Sequence, residues 1–529
     1  MADRIDADAL YHLITAAGEL ALVDVREQAP FSRAHLLWAC CIPLSQLELR
    51  FARLVPRRHT RVVLCDDGAD LAERAMQRLH TFGYTNVTLL DGGIAAWNAA
   101  GYELFSGINV PSKAFGEFVE HAYATPSIDA QVLQARLEAD DDVVVLDARP
   151  VDEYRQLSIP TGICTPGAEL VYRVHDVVPS PATTVVVNCA GRTRSIIGAQ
   201  SLINAGLPNP VMALRNGTMG WHLAGLKVRE GADAPVPDVS QHAVAIAKAR
   251  AARVAERFGV RLLPREVLVD LEEESARSLF LLDVRSAEEF EAGHLPGSRN
   301  APGGQLVQAT DEYVGVRGAR IVLVDDAHVR AIMTASWLIQ MGWKEVWVLQ
   351  GGIGGARLET GPAYSERLGL DSVEVELLSP PSLARLLEQG EATVIDLSSS
   401  RRFIEAHIAG ARHAVRSRLD QFLATSPPAN WLVFTSEDGI LARFAAREAE
   451  TLAHGHTAAL MGGNQAWRES GLAMACGACG IESDPDDVWL RPYDDTANVE
   501  QAMRDYLTWE VDLVAQIERD GTASFKRWQ

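Results

Sequence analysis

Val145-Leu146-Asp147-Ala148-Arg149 is an apolar run that ends on a carboxylate and an arginine, and the chain writes it four times. Leu22-Val23-Asp24-Val25-Arg26 and Leu281-Leu282-Asp283-Val284-Arg285 keep the arginine, while Val394-Ile395-Asp396-Leu397-Ser398 has serine instead. Each copy then offers a second apolar strand and closes on a glycine-bearing corner that opens a helix: Asp91-Gly92-Gly93, Arg215-Asn216-Gly217, Gln350-Gly351-Gly352 and Met461-Gly462-Gly463. Tryptophan follows in three of them, as Trp97, Trp221 and Trp467. Apolar runs alternating with helical segments predict parallel strands covered by helices, and recurrence in a fixed order marks tandem units. The fold class is therefore α/β, with four tandem units, each a mainly parallel sheet flanked by helices, and a C-terminal helical tail. The spacing places the units at 1–107, 124–230, 258–362 and 372–473, with the tail at 474–529. Linkers are expected at 106–124, at 231–237 followed by an Ala/Arg-rich helix to Arg257, and at 361–371.

The chain has 529 residues, 47% of them apolar and 22% charged, which is enough for several cores and too much for one. Its net charge of −21 argues against nucleic acid or an anionic membrane as a partner, though a local basic pocket could hold a small anion. No apolar run is long enough to span a bilayer, and Met1-Ala2-Asp3-Arg4-Ile5-Asp6 lacks the basic-then-apolar layout of a secretory signal, so a cytoplasmic location is expected. Seven scattered cysteines, an odd number, point to reduced thiols rather than a disulfide framework.

One of those thiols stands out. Cys189-Ala190-Gly191-Arg192-Thr193-Arg194 lies between the strand-like Val185-Val186-Val187 and a helix expected from Ser195 to Asn204, closed by Gly206. Loop amides at a helix N-terminus stabilise a thiolate or a bound oxyanion, and the two arginines add to the field. Such surroundings can bring a cysteine from ~8.5 to roughly 3.5–7.5, so an anionic Cys189 is the expectation. From Asp147 to Cys189 is a step of 42 residues; the same step from Asp24, Asp283 and Asp396 lands on Asp66, Asp325 and Asp438, although strand register in the fourth copy favours Ser436. None of these is a thiol, so copies one, three and four are expected to be inactive. Cys65 precedes the loop position and is followed by three carboxylates that disfavour its thiolate; it reads as a buried strand-end residue, and Cys40, Cys41 and Cys164 as small core or near-surface thiols. Cys476-Gly477-Ala478-Cys479 in the tail is open between an ordinary thiol pair and a redox-active or sulfur-accepting one, and lacks the further ligands of a zinc site.

Together, the Asp-x-Arg strand end, the segment from Glu288 to Ser298 in copy three, the cysteine loop and the Gly-Gly-x-x-x-Trp corner resemble the rhodanese (thiosulfate sulfurtransferase) family. The resemblance covers most of the chain and implies a sulfurtransferase. Cys189 would be the catalytic nucleophile that attacks a small anionic sulfur donor such as thiosulfate and keeps the outer sulfur as a persulfide. A thiol or cyanide acceptor would then remove it. Ala190, Gly191, Arg192, Thr193, Arg194, Ser195 and Arg149 are the expected substrate-binding residues, although the persistence of Arg26 and Arg285 in the other copies favours a structural ion pair of Arg149 with Asp147 or Glu153. No metal or other cofactor is required, since the persulfide is the carrier. Copy two lacks the histidine that copy three has at His294, leaving Glu169 or Arg173 as expected influences on substrate choice. Two rivals remain: a regulatory scaffold of rhodanese units with little turnover, and a cysteine-dependent phosphatase or arsenate reductase. The latter enzymes place five residues between cysteine and arginine; Cys189 to Arg194 encloses four. Oligomeric state is not legible.

Overall fold

In a computed structural model that describes residues 3–232, 236–452, 455–482, 485–494 and 498–528, all four repeats fold as five-stranded sheets with one strand order, first-fifth-fourth-second-third. In repeat two these strands are Ser127–Ile128, Val211–Leu214, Thr184–Asn188, Val143–Asp147 and Ile163–Cys164, and every neighbouring pair is parallel. Parallel neighbours need crossover connections, which the intervening helices supply. Alternation along the strands sorts the side chains: Val186 joins Val145, Leu214 and Trp221 in a core private to this repeat. On the opposite face, Leu146, Val185 and Val187 pack with Leu170 and Ile196 in a cluster that runs on through repeats one and three. Three repeats thus share one interior. Repeat four keeps its own clusters and docks on repeat one through Arg416, whose two terminal nitrogens grip Glu48 at 2.6 and 2.9 Å.

The recurring tryptophan has a mechanical role. Trp97, Trp221 and Trp467 are buried, and each donates its indole N–H to a carbonyl six residues on, Glu103, Lys227 and Ala473, at 2.9, 2.9 and 3.1 Å. Repeat three, which lacks it, continues from its corner in turns rather than a helix.

The stretch expected as a linker at 106–124 is instead the helix Val110–Tyr123, nine of whose fourteen residues are buried. It packs between the helix Thr193–Asn204 and the tail helix Val499–Asp520. Its buried Lys113 and Glu117 break up the apolar stripe that would have marked it as a core element. Within the linker at 231–237, residues 233–235 lie outside the described residues; beyond it runs the helix Gln241–Phe258, with the Ser240 hydroxyl accepting from the Ala243 amide and Gly259 closing it at φ +67°. The segment 361–371 is irregular up to a single short turn of helix. In the tail, Met474–Ala475 pairs antiparallel with His407–Ile408 of repeat four. The tail helix then buries Met503, Leu507, Glu510, Leu513 and Ile517, one stripe at helical spacing. It reaches repeat one, where Gln516 donates to the Leu104 carbonyl at 2.9 Å and the Trp38 indole donates to the Thr522 hydroxyl at 2.7 Å.

Candidate active site

Sheet register fixes which residue holds the loop position in each repeat. Asp147, Asp24, Asp283 and Asp396 pair with Asn188, Cys65, Val324 and Thr435, so the next residues are Cys189, Asp66, Asp325 and Ser436. The glycine corners agree. A Cβ on Gly217, Gly93, Gly352 or Gly463 would stand 2.4, 2.4, 2.0 or 2.0 Å from the carbonyl oxygens of those same four residues. The fourth position is therefore Ser436; its loop comes two residues early, and Asp438 instead accepts from the Ile440 amide at 2.9 Å at a helix start.

These close approaches build the loop. The Thr218 and Met219 amides, at the start of the helix Gly217–Leu223, donate to the carbonyls of Cys189 and Ala190 at 2.8 and 2.9 Å. Beneath them Asn188 donates to Asp147 and to the Thr218 hydroxyl at 2.8 and 3.1 Å, and Thr218 donates to the Cys189 carbonyl at 3.0 Å. With its carbonyls held toward the corner, the loop leaves the amides of the following helix, Thr193–Asn204, for the thiol. In repeats one and three the corresponding amides are already satisfied. Asp66 accepts from the amides of Gly68 and Ala72 at 2.9 and 3.0 Å, and Asp325 from those of His328, Arg330 and Ala331 at 2.5, 2.9 and 3.3 Å. The anion cradle persists there, filled by the repeat's own carboxylate.

Cys189 is only 1% exposed, and this corrects the expectation of an easily ionised thiol. Burial raises it above its ordinary value, and the Arg194 guanidinium and the Ser195 hydroxyl and amide pull it down only in part. Arg194 holds Glu153 through both terminal nitrogens at 2.9 and 2.8 Å. Burial raises the Glu153 carboxyl, but Arg194, then Arg149 and Arg491, outweigh it and hold the group at about 2. The same pair recurs in repeat three as Arg330 with Glu289, at 2.7 and 3.2 Å, so it belongs to the scaffold as well as to the thiol's surroundings.

Two expected substrate-binding arginines are committed elsewhere. Arg149 closes on Asp147 at 2.9 and 2.7 Å, as Arg26 and Arg285 close on Asp24 and Asp283, a strand-end ion pair common to three repeats. Arg192 turns to the helix Val110–Tyr123, gripping Glu117 at 2.7 and 2.6 Å, also pairing with Glu120, and reaching Asn216 at 3.2 Å. Glu169 and Arg173 do not serve as pocket walls either: Glu169 bonds both Arg173 and Arg330, at 2.8 Å each, and ties repeat two to repeat three. Where the other copies place His35, His294 and His407 on a carbonyl four residues back, repeat two has Ser158, and its Tyr154 donates to the Gly162 carbonyl at 2.7 Å. Ser195 donates to the Arg192 carbonyl at 2.8 Å. Thr193 and Arg194 line a cavity of about 30 Å³ between repeats two and three, with Ala168, Gly303 and Trp337.

The sequence reading left the tail out of this site. A Cβ on Gly191 would meet Glu510 Oε2 at 3.2 Å, Tyr506 at 3.5 Å and Leu507 at 3.7 Å, so the tail helix roofs the cysteine loop. Beside it, Lys113 sets its ammonium 5.3, 5.2 and 4.9 Å from the ring centres of Trp489, Tyr506 and Trp509. One signal was available: Glu510 is a carboxylate inside the apolar stripe of its helix.

The remaining thiols fall into two groups. Cys40, Cys41, Cys65 and Cys164 are buried, with burial and then the Asp24 carboxylate raising Cys65. Cys476 and Cys479 are exposed in a turn held to repeat four by the Gly477 amide on the Ile404 carbonyl and the His413 amide on the Gly480 carbonyl, at 2.8 and 2.9 Å. No group of three or more His, Cys, Asp or Glu arranged to hold a metal ion occurs among the described residues, and no helix there is long and apolar enough to cross a membrane.

The family of the rhodanese-like domain matches at residues 6–100, 129–224, 264–357 and 379–470. The crystal structure of a thiosulfate sulfurtransferase from Pseudomonas aeruginosa is 48% identical, covers 100% of both chains and superposes with a TM-score of 0.96. A probable 3-mercaptopyruvate sulfurtransferase from Pseudomonas aeruginosa is 40% identical over 113 residues, which are 21% of this chain and 39% of that protein. A sulfurtransferase from Allochromatium vinosum is 29% identical over 97 residues, 18% of this chain and 89% of that one. The chain thus spans well under two thirds of the first of these curated relatives.

Proposed function

The chain belongs to the rhodanese-like family, and from that premise we propose that it is a sulfurtransferase moving sulfane sulfur from thiosulfate or a related donor, through a Cys189 persulfide, to a thiol or cyanide acceptor. The observation that carries this reading is the contrast among four loops of one design: only repeat two places a thiol where Asp66 and Asp325 place carboxylates on the cradle amides. The Cys189 thiolate attacks the outer sulfur of the donor, the S–S bond of thiosulfate breaks, and sulfite departs with the electron pair. Arg194 and the Ser195 donors favour the thiolate against burial. Thiosulfate is supported as donor by the full-length relative named for it, and 3-mercaptopyruvate is the alternative by the shorter match.

The test is mass spectrometry under non-reducing conditions after incubation with thiosulfate. One added sulfur is expected on the peptide bearing Cys189, and C189S should lose both the adduct and turnover, whereas C65A should keep them. A stable adduct on Cys65, or near-parental turnover in C189S, would refute the assignment. In that case a binding scaffold becomes the better account of the four repeats.

A further inference from the structure

The tail helix Val499–Asp520 sets one carboxylate against the cysteine loop. Glu510 is 2% exposed. Its Oε1 accepts from the Tyr506 hydroxyl at 3.1 Å and the Thr193 hydroxyl at 3.3 Å. Its Oε2 accepts from nothing among the described residues, and it is the nearest atom to the side of Gly191 that faces the tail helix, 3.2 Å from where a Cβ would stand. A buried acceptor without a donor is destabilising, and more so when charged, so a bare oxygen in a packed interface calls for a reason. Glycine at 191, with no side chain, lets this oxygen come that close to the loop.

The charged and titratable groups facing Glu510 come from three elements. They are Lys113 and Glu117 on the helix Val110–Tyr123, Arg192 and Cys189 on the loop, and Tyr506 one turn back on its own helix. Burial raises the carboxyl, to about 7, with Lys113 the main charge pulling the other way. A proton on this group is exchangeable near neutrality.

We propose that Glu510 is the general base of the second half-reaction, and that the sulfur acceptor is consequently a protonated thiol. This rests on the Cys189 persulfide proposed above. A thiol R–SH gives its proton to the open Oε2, and its sulfur forms a bond to the outer sulfur of Cys189–S–SH. The bond between that sulfur and Cys189 breaks, the electron pair stays on Cys189 as thiolate, and R–S–SH leaves. The proton on Glu510 then passes to the Cys189 thiolate or to solvent. Sulfane sulfur changes hands at constant oxidation level, so no oxidant or reductant enters.

The experiment loads Cys189 with sulfur from thiosulfate, removes the donor, and follows discharge in single turnover with two acceptors. One is 2-mercaptoethanol, supplied where it is still protonated; the other is sulfite as the dianion, a nucleophile with no proton to surrender. In E510Q the ratio of thiol to sulfite discharge rates should fall roughly 10²-fold, the low end for loss of a general base, and E510D should recover part of it. The limb near pH 7 in the thiol profile should vanish in E510Q. An unchanged ratio, or an equal slowing with both acceptors, overturns the proposal and leaves Glu510 a packing residue. Absence of any Cys189 persulfide in the parent enzyme overturns the reading beneath it instead.

Discussion

Replacing Gly217 with alanine should damage catalysis and stability together, and two matched substitutions separate the causes. At φ +54° an alanine bears the left-handed penalty of about 1–2 kcal/mol. Its Cβ would also lie 2.4 Å from the Cys189 carbonyl oxygen and 2.7 Å from that of Gly191. Relieving the first contact to ordinary van der Waals distance takes roughly 1 Å of movement and breaks the bonds from Thr218 and Met219, each contributing ~0.5–1.5 kcal/mol. The sum is roughly 2–5 kcal/mol, and a loop displaced by ~1 Å loses about 10²-fold in kcat/KM. Gly225, at φ +75° with nothing within 4 Å, isolates the backbone penalty, so G225A should lose only about 1–2 kcal/mol and no activity. Gly93, 2.4 Å from the Asp66 carbonyl oxygen by the same measure, repeats the clash in a loop that carries aspartate instead of cysteine. G93A should therefore lower the calorimetric unfolding temperature about as much as G217A while keeping thiosulfate turnover per folded molecule. Parental kcat/KM in G217A, or parallel loss in G93A, would refute the view that this corner shapes the catalytic loop.

Arg194→Lys retains charge but gives up the two-pronged grip on Glu153, so kcat/KM with thiosulfate should fall about tenfold and further in R194A, as loss of a charge-assisted bond of ~1.5–3 kcal/mol would give; parental kinetics in both would show the pair to be scaffold alone. Because burial holds the Cys189 thiol above its ordinary value, the thiolate fraction grows about tenfold per pH unit through neutrality, and single-turnover persulfide formation should climb with pH without levelling off below about pH 8.5. A plateau near neutrality in stopped-flow measurements would mean that the loop lowers the thiol after all.

The fourfold plan was legible because its signals are local: an apolar run ending in aspartate, a corner glycine and a tryptophan each act within a few residues, and Trp221 finds its partner only six residues on. The same locality located Cys189. It failed for Arg192, whose partner Glu117 lies 75 residues away on a helix whose buried charges made it look like a linker. It failed more fully for the acidity of Cys189, since the helix that seals the loop comes from the tail and bonds Thr193 across 317 residues. At the fourth loop, counting along the chain gave Asp438 while the strand register read from the sequence favoured Ser436, and the pairing of Asp396 with Thr435 decides for Ser436. Arg149 leaned toward an ion pair in the sequence, and the identical pairs in repeats one and three show what the strand end requires.

The roof over the cysteine loop also has a history in time. On the ribosome Thr193 emerges 317 residues before Glu510, which at about 5–20 residues per second is roughly 15–60 s of synthesis. Throughout that interval the Cys189 thiol exists without the tail helix over its loop, open to oxidants and to stray electrophiles. The helix that shelters it is made after all four repeats, so a nascent or C-terminally clipped chain can carry four recognisable repeats and still be a vulnerable thiol rather than a guarded one.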